Sequence, residues 1–179
     1  MVPRCAALVL ALSAYVQTQH PLPSRTVDAG LDLTGTWVCD GVGQPDVYRV
    51  TEGPRQWSVT NEDDEVLRFT VHRLKHRHVL QVGPSGSESP YWTVLGLEVS
   101  GERAVLRSLD LSDDGDWVAE HPGLMAQPDG SLLTSLPKGE LAKSLGQPTW
   151  FGRPLETSSS CVRSSGAPKT SPRGAASDG

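Results

Sequence analysis

The chain is poor in the features that most readily announce a function. No H-E-x-x-H pair occurs, and the Gly-Pro-Ser-Gly-Ser stretch lacks the second glycine of a nucleophile elbow. This removes the commonest sequence marks of zinc-dependent and serine-dependent hydrolysis. No alternating strand–helix series is present, so a parallel sheet is not expected. The longest apolar run is the twelve residues CAALVLALSAYV near the N-terminus, too short to cross a bilayer comfortably. Charge of one sign is also thin: 16 basic residues stand against 21 acidic ones, a formal charge of −5. Setting aside Arg4 and the charged residues of 157–179 leaves 12 basic and 20 acidic residues. A body this acidic argues against nucleic acid as a partner. Phenylalanine occurs twice and methionine twice in 179 residues.

What is there begins with the leader. Arg4 precedes the apolar run, and the polar, proline-bearing QTQHPLPS follows it. That is the layout of a secretory signal peptide, expected over 1–18, with Ala14 the best candidate for the last residue removed. The alternative is an apolar N-terminus that stays on. No cysteine follows the run at a lipid-attachment position, so the expected location is secreted or periplasmic without a lipid anchor. Residues 19–31 look like a linker, 32–156 like the folded body, and 157–179 like a disordered tail with seven serines and little to bury. Export would permit a disulfide between Cys39 and Cys161. From within that tail, Cys161 would staple a tail rather than a core, and spacing alone leaves the pairing open.

Within 32–156 short segments of alternating polarity are punctuated by Gly, Pro, Asn and Asp. Eight strands are predicted, over 35–40, 46–51, 55–60, 65–73, 78–82, 91–99, 103–110 and 131–136. A short helix capped by Ser112 is predicted between the last two, and a second, KGELAKSL, after Pro137. The fold class is therefore mainly β. An antiparallel eight-stranded barrel-like domain with two short helices is expected, with an open sandwich or sheet as the alternative.

The entry into the first strand, Gly35-Thr36-Trp37, resembles the lipocalin and calycin group. In that group the tryptophan implies a plug at the closed end of a barrel. The order of segments is also similar to small exported bacterial proteins of uncharacterised role. These share Leu33, Gly35 and Trp37, the hairpin HRLKHRHVLQV, and an Asp-Trp-Val-x-x-His-Pro stretch from Asp116 to Pro122. The resemblance implies fold and location and carries no catalytic residues.

Four constellations are candidates for chemistry. Trp57, Phe69 and Trp92 are large apolar side chains that would line a ligand pocket in a hollow barrel, or serve only as core in a filled one. His72, His76 and His78 have the spacing H-x3-H-x-H, and three neutral imidazoles suit zinc or copper. The interleaved Arg73, Lys75 and Arg77 disfavour a cation there. They instead suggest a basic patch for a protein or anionic surface. Asp110 to Asp116 resembles the start of a calcium loop, but His121 stands where the bidentate glutamate belongs. The carboxylate pairs Asp63-Asp64 and Asp113-Asp114 fall in turns. The expectation is a monomeric, non-enzymatic binding protein with no cofactor, its ligand small and hydrophobic. The alternative is an envelope-associated interaction module with a filled core.

Overall fold

The computed structural model describes residues 16–28, 30–40, 45–53, 55–84, 91–109, 123–127, 132–147, 150 and 156–164. Eight antiparallel strands close into a barrel: Gly35–Cys39 (β2), Asp46–Gly53 (β3), Gln56–Thr60 (β4), Val66–Leu74 (β5), Arg77–Val82 (β6), Trp92–Ser100 (β7), Arg103–Leu109 (β8) and Glu156–Arg163 (β11). Each pairs with the next in sequence, and β11 returns to β2 to complete the ring. The barrel leaves none of these strands as a free edge, which removes the usual route to edge-to-edge association.

The alternating pattern is the cause of the wall. In β4, Trp57 and Val59 point inward while Gln56 is exposed. Leu67, Phe69 and Val71 do the same in β5. The turns supply the required backbone. Lys75 sits at φ 55° between Leu74 and Arg77, and Gly101 at φ 59° between Ser100 and Arg103. In the β4–β5 turn the Asn61 side-chain oxygen accepts the amides of Asp63 and Glu65, at 3.1 and 2.9 Å.

Two expectations are corrected here. The eighth stave is not 131–136 but β11, taken from the predicted disordered tail. Its alternation is masked by serines, yet it bonds to β8 on one side and β2 on the other. Backbone pairing and a disulfide supply what side-chain burial does not. The 131–136 segment instead forms Leu132–Thr134 (β10), outside the barrel. It lies between Leu124–Ala126 (β9) and Val16–Thr18 (β1), and β1 in turn pairs with β7. The leader assigned to 1–18 therefore contributes a buried strand, and the linker 19–31 contributes buried Leu22 and a Ser24–Thr26 3₁₀ turn. Among the described residues the α-helix is Lys138–Leu145 (α1), the one expected after Pro137. The helix predicted from Ser112 lies outside the described residues. No helix among them is long and apolar enough to cross a membrane.

These additions make a second core. Leu74 of β5, Val79 of β6 and Val94 of β7 face outward. They are covered by Val16, Leu22, Leu124, Leu132, Trp150 and the helix pair Leu141 and Leu145. The four-residue spacing of Leu141 and Leu145 puts both on one helical face.

Candidate functional site

At one end of the barrel gather the start of β2, the turns β3–β4, β5–β6 and β7–β8, and the end of β11. Val27, Asp28 and residues 30–34 lie across this end. Val27 bridges His72, the Asp28 amide donates to Val71 O at 2.9 Å, and Leu33 turns inward. Trp37 is 4% exposed, and its Nε1–H donates to Leu33 O at 2.8 Å. The Arg163 guanidinium lies 4.9 Å from the Trp37 ring centroid. Arg163 donates to Asp32 Oδ2 at 3.1 Å and to Asp32 O at 2.6 Å. Hydrogen bonds from Thr34 and from Arg163 hold the Asp32 carboxyl below its ordinary pKa. Gly35, at φ 128°, meets the Arg163 side chain. Gly35 and Trp37 thus form part of a stacked closure, with β11 supplying the cation. Arg163 carried no sequence signal, because it stood in an apparently disordered tail.

Behind this closure lies an interior cavity of about 80 Å³. Leu33, Trp37, Tyr48, Phe69 and Leu95 line it, together with the Cys39–Cys161 disulfide. The two cysteines are directly opposite in the β2–β11 pair. The bridge is therefore in the core and joins residues 122 apart, where the sequence reading had it stapling a tail. Of the three residues expected to line a pocket, Phe69 alone lines this cavity. Trp57 is inside the barrel but beside the cavity, stacked on Phe69 with ring centroids 6.0 Å apart and planes at 14°. Its Nε1 is buried with no acceptor among the described residues. Trp92 is on the outer wall, its ring over Gly83.

The histidines do not converge. His72 registers opposite Val79, and His78 opposite Arg73, so His72 and His78 point to opposite faces of the sheet. His72 is 2% exposed on the outer face. Its Nδ1 is 2.8 Å from Thr26 Oγ1 and its Nε2 2.8 Å from Thr70 Oγ1. The Thr26 hydroxyl proton is already given to Pro23 O at 2.7 Å. That makes Nδ1 the donor to Thr26, and in the neutral ring Nε2 accepts from the Thr70 hydroxyl. Burial drives its pKa down to about 4. His78 bonds Asp28 at 2.9 Å at the barrel rim, and His76 is exposed in the turn. Burial opposes ionisation of Asp28, but the Gly30 amide, His78 and Arg73 outweigh it and keep its pKa low. Among the described residues no three His, Cys, Asp or Glu side chains come together as metal ligands.

The basic hairpin divides in the same way. Arg73 shares the His78 face at the rim. Arg77 is on the other face, half-buried, where burial lowers its pKa against the pull of Glu98. Arg73, Lys75 and Arg77 therefore do not present one patch. Asp63 and Asp64 are exposed in their turn. The Asp110–Asp116 segment, Asp113-Asp114 and Trp117 lie outside the described residues. No family model matches the chain, and no curated protein or solved structure matches it.

Proposed function

We propose that the chain is an exported lipocalin-like barrel that binds a small apolar ligand without catalysis. The observation that carries this is the interior cavity. Every described side chain facing it is aliphatic, aromatic or half-cystine, and none is a carboxylate, imidazole or amine. An apolar cavity of this kind stays dry and gains contacts when an apolar molecule enters. At about 80 Å³ it is well below the roughly 300–1,000 Å³ of drug-sized sites, so the ligand is a molecule of only a few carbon atoms. The leader pattern, with a disulfide that an oxidising compartment would maintain, supports export.

The small size also favours a second reading, a filled barrel that acts through its surface. Native mass spectrometry of the secreted, mature protein separates the two. An added organic mass, together with xenon-induced NMR shifts at Leu95 and Leu97 that Ala104→Leu abolishes, supports the binder. A bare protein with no xenon response supports the filled scaffold.

A further inference from the structure

The groove beside Trp92 lies on the outer wall, away from the barrel interior. It has a volume of about 560 Å³, within the range of small-molecule sites. The 21–27 segment forms one side, and β5, β6 and the start of β7 form the other. Gln81 is 1% exposed. Its Oε1 accepts the Leu22 amide at 2.9 Å, while its Nε2 is buried with no acceptor among the described residues. A buried donor without a partner is unfavourable, and a ligand oxygen would relieve it.

Three cations converge on the same groove from separate elements. Arg25 comes from the 3₁₀ turn, Arg55 from the β3–β4 turn at φ 62°, and Lys138 from the first position of α1. All three are exposed. No carboxylate lines the groove among the described residues, although the chain carries −5 overall. Isolated surface cations are usually just solvated. These three border a concave site that also holds an unpaired buried amide and the half-buried face of Trp92.

We propose that this groove is a second binding site, for a small organic anion whose aromatic or aliphatic body lies on Trp92 and Leu22. Its carboxylate, sulfonate or phosphate oxygens would take charge-assisted bonds from Arg25, Arg55 and Lys138 and a bond from Gln81 Nε2. The site is independent of the interior cavity, so either stands if the other fails.

The test uses two probes that share one ring system. 8-Anilinonaphthalene-1-sulfonate carries the anion, and N-phenyl-1-naphthylamine lacks it. Both are titrated by fluorescence into the full chain, with the Trp92 indole resonance followed by NMR. The sulfonate is expected to bind at least about tenfold more tightly than the neutral probe and to shift Trp92. The triple variant Arg25→Ser/Arg55→Asn/Lys138→Glu should lose about tenfold or more for the sulfonate, and little for the neutral probe. Asparagine tolerates the positive φ of Arg55, and unchanged circular dichroism confirms the fold. Trp92→Leu should weaken both probes. Equal affinity for the two probes, a sulfonate site insensitive to the triple variant, or sulfonate binding abolished by Ala104→Leu inside the barrel would each overturn the proposal.

Discussion

The inner and outer cores share a wall but are built differently. Inside the barrel, apolar side chains come from the strands at every second position, with Leu33 added from the segment before β2. On the outer face of β5, β6 and β7 they come from a strand before the barrel, from Leu22, from two short strands and a helix between β8 and β11, and from Trp150. The wall between them is buried on both sides. In β6 the run Val79, Leu80, Gln81, Val82 is buried without a gap. In β7 the same holds for Val94, Leu95, Gly96 and Leu97. Contiguous burial of this kind marks a covered sheet, whereas clean alternation marks one open to water. The inner core is closed covalently, and among the described residues the outer one is held by packing and hydrogen bonds alone.

That difference sets the largest expected effect. Cys39→Ser/Cys161→Ser releases a crosslink spanning 122 residues. In the chain-entropy picture this lowers stability by ~5 kcal/mol. Urea midpoints with and without reductant would measure it. A loss under about 1 kcal/mol would mean that the ladder of β11 alone closes the ring.

The outer core should break separately. Val16 is fully buried in β1, which pairs with both β7 and β10. A chain starting at Tyr15 keeps that strand, and one starting at Gln19 does not. The shorter chain should lose about 2–4 kcal/mol, the range for emptying a buried aliphatic site. Hydrogen exchange should then quicken in β10 and α1 while β2, β3 and β4 stay protected. Equal protection in both chains would show that β1 is dispensable to the outer layer.

These two experiments follow the line between what the sequence discloses and what it conceals. Seven of the eight staves were legible, because Trp57/Val59, Leu67/Phe69/Val71 and Leu95/Leu97 repeat at the period of a strand and end at turn residues. Alternation by itself does not say which end pairs with which. Thus β11, whose serines bury little, looked like disorder; its Arg163 was lost to the reading, and Cys161 was taken to staple a tail. The outer core was hidden for another reason. Val16 lies in a run whose hydrophobicity fits a leader equally well, and Leu22 sits among prolines. Of the candidate site residues, Trp37 and Phe69 were put on the inner face by strand parity. Trp92 was not, because only closure of the barrel decides which face is inside. The histidine spacing misled because His72 and His78 lie on strands whose register puts them on opposite faces.

His72 belongs to the outer core, and pH should reveal it. Its pKa is lowered from 6.5 to about 4 in the folded state by burial. The unfolded chain therefore binds more protons between these values. Stability from this group is fully present above about pH 6.5 and falls as pH drops toward 4, by about 2–3 kcal/mol. His72→Gln should flatten that part of the stability profile measured by urea denaturation from pH 7 to 4. An unchanged slope would place the titration elsewhere.

The smallest effect compares two tryptophans within the inner core. Trp37 donates a 2.8 Å hydrogen bond to Leu33 O and lies beneath Arg163. Trp57 contributes area and its stack on Phe69, and its N–H has no acceptor among the described residues. Trp37→Phe removes the bond, leaves the Leu33 carbonyl without its donor and weakens the cation–π contact. Together these amount to about 2 kcal/mol. Trp57→Phe removes only part of a ring and an unpaired donor, so its loss should be smaller by about 1 kcal/mol. The comparison is sharpened by Arg163→Lys, which keeps a charge but not the planar fork that spans Trp37 and Asp32. If Arg163→Lys reduces the difference between the two Phe variants, the stacked cation is part of what distinguishes Trp37. If the difference is unchanged, the hydrogen bond to Leu33 accounts for it, and Arg163 acts only through Asp32.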